Sequence, residues 1–219
     1  MEHRPYGFYE RFLKRPLDCF LAAFALLLLQ PVLGVTALLV RVKLGAPVLF
    51  SQERVGRNET VFRMRKFRSM TDAKDEQGNL LSDEQRLTKF GRLLRATSLD
   101  ELPELINIIK GDMAIIGPRP LHVKYLPYYT ERQHRRHAVR PGLTGYAQAH
   151  GRNAVNWDDK LEMDVAYTEK ITFLGDVKII LATVKTVLKR EGVSPNSAAT
   201  MEDFRDYCKS IGRVPTGNE

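Results

Sequence analysis

The sequence contains few cysteines: Cys19 and Cys208 are the two in a chain of 219 residues. They lie far apart and have no metal-ligand neighbours, so the sequence excludes a disulfide framework and a structural zinc site. This cysteine usage is typical of a protein in a reducing compartment. No internal repeat is evident either, which excludes a repeat architecture.

Charged residues are absent from residue 19 to residue 40, a run of 22 mostly apolar residues. A helix rises about 1.5 Å per residue, so such a run can cross a hydrocarbon core of roughly 30 Å. A cleaved signal peptide is excluded: the run is too long, Glu10 and Asp18 precede it, and no small-residue cleavage site follows it. The segment is therefore expected to stay attached.

Pro31 interrupts this run and predicts a bend or break, because it removes a helix hydrogen bond and clashes with the preceding turn. Lys and Arg, which mark the cytoplasmic flanks of membrane segments, lie on both sides. Those before the run are Arg4, Arg11, Lys14 and Arg15, and those after it are Arg41, Lys43, Arg54 and Arg57. The pattern favours a re-entrant helix-break-helix. A bent spanning helix stays open, because spanning helices also tolerate proline.

The whole chain is basic, with 34 Lys and Arg against 26 Asp and Glu and a net charge of +8. This excess favours an anionic partner, which could be a nucleic acid, an anionic lipid or a phosphorylated substrate. Hydrophobic residues make up 43% of the chain, sufficient for one sizeable core. We predict a membrane segment with basic flanks (1–45), a compact domain (46–192) and a C-terminal tail (193–219).

Local patterns predict an α+β domain of helices and a small β-hairpin. Strands are indicated at 47–52 and 60–67 around a turn at 56–58. Polar residues 72–84 indicate a surface loop, and residues 140–145 a turn leading to a short strand. Helices are predicted at 87–95, 104–110, 125–136, 158–171 and 176–190, followed by a loosely ordered tail beyond residue 192.

Two neighbouring acids, Asp100 and Glu101, precede the predicted helix at 104–110. With Ser98 they have the form of a capping box, in which first-turn acids stabilise a helix without any active site. The position also suits catalysis, because the positive end of a helix keeps a carboxylate ionised and a second acid can hold Mg²⁺. The local sequence leaves both interpretations open.

Three arginines, Arg95, Arg119 and Arg140, stand in or beside rigid motifs. Guanidinium groups suit phosphate oxygens in a bidentate geometry, so these residues and the acid pair together indicate a site for a diphosphate. Lys66 and Arg68 belong to a basic strand and the segment after it. Their charges fit a solvated face near anionic headgroups as well as phosphate binding.

Five motifs, in order along the chain, resemble those of the bacterial sugar transferases, the monotopic phosphoglycosyl transferases. They are KRPLD at 14–18, KFRSM at 66–70, SLDELPEL at 98–105, GPRP at 117–120 and RPGLTG at 140–145. The resemblance covers residues 10–190. It implies a monotopic protein of the bacterial inner membrane, with a re-entrant helix and an active site on the cytoplasmic face.

The resemblance also implies a reaction: transfer of a sugar phosphate from a UDP-sugar to a polyprenol (undecaprenyl) phosphate, with Mg²⁺ and release of UMP. Asp100 falls at the family's nucleophile position and would carry the phosphosugar covalently. Glu101 matches the adjacent acid associated with the metal. The implied phosphate-binding positions are Arg95, Arg119, Arg140, Lys66 and Arg68, and Asp164 falls near a further family acid. Membrane lipid is an expected partner and nucleic acid is not, and a dimer is compatible.

The sequence departs from the family pattern at the helix break. Gln30 precedes Pro31 where the smallest members have Ser-Pro, so side-chain assistance at the bend is in question while the break itself is kept. The chain resembles the minimal form, which lacks a long multi-spanning region before the re-entrant helix. AATMEDF at residues 198–204 resembles the tail of members that handle diacetamido sugars such as UDP-diacetylbacillosamine. The resemblance to the minimal form implies a role in a glycoconjugate or protein-glycosylation pathway.

Two other classes of function remain as alternatives. A basic nucleic-acid-binding module is suggested by Arg63, Arg65, Lys66 and Arg68, and salt should release such a protein from membranes. A non-catalytic membrane scaffold is the other, in which Asp100 and Glu101 only cap a helix.

Overall fold

The computed structural model describes residues 3–150, 155–188 and 202–215. A π-helical turn (Tyr9–Leu13) leads directly into the first helix. The helices are α1 (Lys14–Leu28), α2 (Gln30–Leu44), α3 (Asp83–Arg86), α4 (Lys89–Ala96), α5 (Glu104–Lys110), α6 (Glu131–His134), α7 (Tyr146–His150), α8 (Trp157–Glu169), α9 (Phe173–Leu188) and α10 (Phe204–Ser210). The strands are β1 (Leu49–Val55), β2 (Val61–Phe67), β3 (Ala114–Ile116) and β4 (Gly142–Thr144). Short 3-10 turns lie at Arg57–Glu59, Leu99–Glu101, Val123–Tyr128 and Arg135–Ala138.

Two small sheets accompany the helices. β1 and β2 form the predicted antiparallel hairpin, in which Leu49 pairs with Phe67 and Val55 with Val61. β3 and β4 pair in parallel, which the sequence did not indicate for β3. The mixed helical and small-sheet architecture confirms the α+β prediction.

The first two helices are bent by 65° at a break at Leu29. Pro31 lies in the first turn of α2, where a proline costs no helix hydrogen bond, so the predicted break is confirmed. Within the described residues, no single helix is long and apolar enough to cross a membrane. Taken together, the two helices of the bent pair are long and apolar enough to enter a membrane, either as a broken span or as a re-entrant loop.

Each of these helices buries one face against the domain. Ala22 of α1 packs against Leu105 and Ile108 of α5, and Lys14 Nζ lies 2.6 Å from Asp176 Oδ2 on α9. The outer faces remain apolar and exposed, through Phe20, Phe24, Leu27, Leu28, Val35, Leu38 and Val42. Monomeric soluble proteins rarely expose so broad an apolar patch, which usually marks an interaction surface.

Two local predictions are wrong. A single helix at 125–136 does not form, because Pro127 lies within a 3-10 turn and Thr130 caps a separate short helix, α6. The tail is not loosely ordered throughout: α10 buries Phe204 and Cys208 in an aromatic cluster with Trp157. Residues 198–201 of the diacetamido-type motif lie outside the described residues.

Candidate active site

Asp100 and Glu101 lie in the 3-10 turn that precedes α5. The predicted capping box is wrong, because the side chain of Ser98 makes no capping hydrogen bond and its backbone is left-handed, with φ at 55°. Such a conformation costs a non-glycine residue on the order of 1 kcal/mol and is common at functional sites. The turn buries the Asp100 carboxylate. Helix capping by Ser98 therefore does not explain this acid pair.

Cations from two other elements converge on Glu101. Lys66 Nζ, from β2, lies 2.7 Å from Glu101 Oε1 and 3.1 Å from Glu104 Oε1. Arg119 Nη2, from the GPRP segment, lies 3.0 Å from the same Glu101 Oε1. Both contacts fall on Oε1, so Oε2 of Glu101 has no hydrogen bond from a described residue. We call Asp100, Glu101 and Glu104 the acid cluster.

The members of the acid cluster differ in their electrostatics. Burial and the neighbouring Glu101 raise the pKa of Asp100 to about 6, although Lys66, Arg95 and Arg119 act in the other direction. Burial acts to raise the pKa of Glu101 as well, but Arg119 and Lys66 hold it well below its usual range. Burial raises the pKa of Glu104, against the opposing charge of Lys66. Glu101 is therefore ionised at neutral pH, whereas the pKa of Asp100 lies close to neutral pH.

Arg95 approaches the acid cluster from α4. Its Nε donates to Ser69 Oγ at 2.9 Å, and its charge opposes the rise in the pKa of Asp100. The close packing depends on Gly91, because a Cβ there would lie 1.8 Å from the carbonyl oxygen of Ser69. A glycine in this helix thus allows α4 to hold Arg95 against the KFRSM segment.

Asp164 lies behind Arg119. Its Oδ2 accepts from Nη2 of Arg136 at 2.6 Å, and the same Nη2 donates to the backbone oxygen of Arg119 at 2.6 Å. Both side chains of this ion pair are buried. Asp164 is therefore placed to position Arg119 through Arg136.

The structure leaves two of the predicted phosphate-binding arginines with other partners. Arg68 donates to the backbone oxygens of Ala46 (2.6 Å) and Met70 (2.9 Å) and pairs with Asp72 (2.6 Å). Arg140 donates through Nε to the backbone oxygen of Gly111 at 2.9 Å, just beyond the C-terminus of α5. The residues brought together around Asp100 and Glu101 are Lys66, Arg95 and Arg119.

A family model described as Bacterial sugar transferase matches residues 9–190, which include every residue of the acid cluster and its cations. The chain belongs to the bacterial sugar transferase family. All five sequence motifs lie within the matched residues.

Curated relatives agree with the family. The protein named Uncharacterized sugar transferase EpsL of Bacillus subtilis is 50% identical over 192 residues, which is 88% of this chain and 95% of EpsL. The UDP-glucose:undecaprenyl-phosphate glucose-1-phosphate transferase of Escherichia coli is 38% identical over 185 residues, 80% of this chain. The UDP-N-acetylgalactosamine-undecaprenyl-phosphate N-acetylgalactosaminephosphotransferase of Aeromonas hydrophila is 36% identical over 189 residues, 81% of this chain. The chain spans only 40% and 44% of the length of the latter two proteins.

Two charged residues in or beside the acid cluster were not predicted from the sequence. Glu104 was assigned only to a helix, although its position three residues after Glu101 places the two on one helical face. Arg54 of β1 donates to Gln52 Oε1 at 2.7 Å, and burial together with the charge of Arg119 lowers its pKa to about 10. Arg54 lies beyond the strand predicted at 47–52 and was expected only as a basic flank of the membrane segment, so nothing in the sequence indicated that it would be half-buried beside Arg119.

The acid cluster has the donor chemistry of a divalent-cation site. Carboxylate oxygens are the ligands that Mg²⁺ prefers. Oε1 of Glu104 is buried and has as its cation only the Lys66 ammonium at 3.1 Å, which it shares with Glu101, and the charge of Glu101 adds to burial in raising the pKa of Asp100. These residues fit a bound divalent cation, with Glu101 Oε2 open to it.

A more closely spaced set of metal-ligand types lies elsewhere in the described part of the chain. The ligand atoms of Glu59, His134 and His137 lie within 4.8 Å of one another. Nη1 of Arg136 lies 3.1 Å from Nε2 of His137, and arginine can only donate, which assigns the imidazole proton to Nδ1. That Nδ1 faces Glu59 Oε1 at 3.4 Å. A protonated nitrogen cannot ligate a metal, so this triad fits a polar contact network better than a metal site.

Proposed function

We propose that this chain transfers a sugar phosphate from a UDP-sugar to a polyprenol phosphate such as undecaprenyl phosphate, with release of UMP. The names of the Escherichia coli and Aeromonas hydrophila relatives describe reactions of this type. The observation that carries the proposal is the contrast within the acid pair. Glu101 is held ionised by Lys66 and Arg119, while the buried Asp100 has a pKa of about 6.

The first step is a displacement at the β-phosphorus of the UDP-sugar. An oxygen of the Asp100 carboxylate attacks that phosphorus, and the bond to the oxygen that bridges the two phosphates breaks. UMP leaves with the electron pair, and the phosphosugar remains on Asp100. Arg95, Arg119 and Lys66 supply the positive charge that offsets repulsion between carboxylate and diphosphate.

The second step returns the enzyme to its starting state. A phosphate oxygen of the polyprenol phosphate attacks the same phosphorus, and the bond from phosphorus to the Asp100 oxygen breaks. The product is a polyprenyl diphosphate sugar, and the carboxylate is regenerated. A carboxylate with a pKa of about 6 is ionised at neutral pH and is also a better leaving group than an alcohol.

Mg²⁺ is the cation we assign to the acid cluster, held by Glu101 with Asp100 and Glu104 close by. When bound, it would offset the charge of the diphosphate. Asp164 acts as a positioning residue, because its ion pair with Arg136 fixes the backbone of Arg119.

The anchor in this proposal is the bent pair α1 and α2, entering one leaflet of the bacterial inner membrane from the cytoplasmic face. The exposed apolar faces and the 65° bend support a re-entrant loop. Confinement of enzyme and lipid acceptor to one interface removes much of the entropic cost of their meeting.

The test is a panel of UDP-sugars with the purified full chain, undecaprenyl phosphate and Mg²⁺. UDP-glucose, UDP-galactose, UDP-N-acetylgalactosamine and UDP-diacetylbacillosamine are supplied one at a time, and UMP is measured. We expect UMP from at least one donor, none from Asp100→Asn, and undiminished release from Asp206→Asn, the same change at an exposed acid. Absence of UMP across the panel would contradict the proposal.

A further inference from the structure

A second group of cations lines a cavity of about 320 Å³ near the other end of α5. Its charged lining includes Arg11, Lys14, Arg15, Asp18, Arg57 and Arg140. We call it the basic cavity. Arg140, which the sequence motifs associated with phosphate binding, lines this cavity and lies outside the acid cluster.

The basic cavity is separate from the acid cluster. Arg15 donates to the backbone oxygens of Ile108 (2.6 Å) and Ile109 (3.0 Å), and Arg140 donates to that of Gly111, all at the C-terminus of α5. Glu104 begins the same helix at its N-terminus. Seven helical residues span about 10 Å, so one phosphate group cannot contact both ends.

The acids that line the cavity already have partners. Lys14 Nζ lies 3.8 Å from Asp18 Oδ2. Glu10 pairs with His3 through Oε1 and accepts from the backbone nitrogen of Tyr6 through Oε2 at 2.7 Å. Neither carboxylate forms an ion pair with an arginine of the cavity in the described part of the chain.

The arginines of the cavity carry uncompensated charge. Arg11 and Arg57 form no ion pair with a described residue. The hydrogen bond of Arg140 uses Nε, so its two terminal amino groups make no hydrogen bond with a described residue. Burial lowers the pKa of Arg140, and the positive charges of Arg15 and Arg57 lower it further. Positive charges held this close repel one another, and a bound anion would offset that repulsion by attracting each of them.

We propose that the basic cavity binds a phosphate group. Arginine forks match the oxygens of a phosphate in bidentate geometry. Besides Arg15, which is bound to the end of α5, the cavity is lined by Arg11, Arg57 and Arg140 from three other segments. Exposed Phe8 and Phe12 lie on the same turn as Arg11. Aromatic and basic side chains side by side are typical of the membrane interface, which favours the headgroup phosphate of a lipid over free phosphate as the source.

The test measures binding to the full chain in an uncharged detergent, without UDP-sugar or Mg²⁺, so its result does not depend on transferase activity. The probes are dioctanoyl phosphatidic acid, dioctanoylglycerol (the same lipid without the phosphate) and inorganic phosphate. The variants are Arg57→Gln and Arg11→Gln. Arg63→Gln is the matched control, because Arg63 lies on the same hairpin with a largely exposed side chain.

We expect phosphatidic acid to bind and dioctanoylglycerol not to bind, with affinity lowered about tenfold by Arg57→Gln or Arg11→Gln and unchanged by Arg63→Gln. Inorganic phosphate that binds with the same dependence on both arginines would support the site with a soluble source. Equal binding of the two lipids, or phosphate binding that both variants leave unchanged, would overturn the proposal.

Discussion

The ammonium of Lys66 lies 2.7 Å from the carboxylate of Glu101 and thereby ties the β-hairpin to the turn that carries Asp100. The same ammonium lies 3.1 Å from Glu104, so one cation serves the partly buried carboxylate of Glu101 and the buried carboxylate of Glu104. Removing one partner of a buried ion pair costs far more than the pair contributes, because a charge is left uncompensated.

Lys66→Met should therefore lower the free energy of unfolding by about 3 kcal/mol, as measured by urea denaturation. Adding Glu104→Gln should recover part of this loss, because it removes one of the two stranded carboxylates. Arg63→Met, a change on the same strand at an exposed side chain, is the control. A loss in Lys66→Met no larger than in the control would refute the bridging role.

Asp100→Asn should stabilise the fold while abolishing turnover. A carboxyl whose pKa is raised on folding destabilises the folded state above its unfolded pKa, and the effect is relieved as pH falls through the folded pKa. For a shift from 3.8 to about 6, the gain at neutral pH is about 1 to 3 kcal/mol without added metal. Asp206→Asn is the control. If Asp100→Asn is no more stable than Asp206→Asn, then burial of the ionised Asp100 does not destabilise the fold.

The rate of the first chemical step should fall as pH drops through about 6, because the protonated acid Asp100 cannot attack phosphorus. Single-turnover UMP release over a pH series measures this dependence. A divalent cation near Asp100 favours its ionised form, so raising the Mg²⁺ concentration should move the midpoint to lower pH. A flat profile from well below to well above this pKa would count against Asp100 as the nucleophile.

Asp164→Asn should raise KM for the UDP-sugar more than it lowers kcat, because it loosens the Arg136 contact that fixes the backbone of Arg119. It should also cost about 3 kcal/mol of stability, as expected for a broken buried pair. The exposed Arg132–Glu162 pair joins α8 to α6, the helix just before the 3-10 turn that carries Arg136, which makes Glu162→Gln the matched control. An unchanged KM in Asp164→Asn would reduce the pair to a purely structural role.

The re-entrant model predicts that both ends of the bent pair face the cytoplasm. Arg4→Cys and Lys43→Cys, each at an exposed position and made separately in a chain with Cys19→Ala and Cys208→Ala, can be labelled in intact and in opened cells. Both positions should react only after the cells are opened. Labelling of one of them from outside would show a spanning helix instead.

Local rules were sufficient where neighbours in sequence decide the structure. Alternating residues predicted the hairpin, and Pro31 predicted the break between α1 and α2. The helix predicted at 104–110 has these bounds in the structure, where Gly111, with φ at 100°, follows its last residue. The parallel pairing of β3 and β4 was out of reach, because each strand has three residues and its partner lies far away in sequence.

The sequence predicted most of the charged residues near the site, but it did not predict which of them lie together. Asp100, Glu101 and Arg119 could be named from motifs, but the sequence could not separate Arg140 from them, since that depends on which end of α5 each segment reaches. Arg136 lay hidden in a basic run that resembles an exposed helix. Its burial follows from the 3-10 turn at Arg135–Ala138, which has no distinctive sequence signature.

The covalent role of Asp100 is tested most directly by incubating the full chain with its UDP-sugar and Mg²⁺ in the absence of polyprenol phosphate, then mapping the protein by mass spectrometry. We predict one phosphosugar on the peptide that contains Asp100, formed together with one equivalent of UMP and lost when polyprenol phosphate is added. UMP release that requires the acceptor, with no adduct on that peptide, would contradict the mechanism.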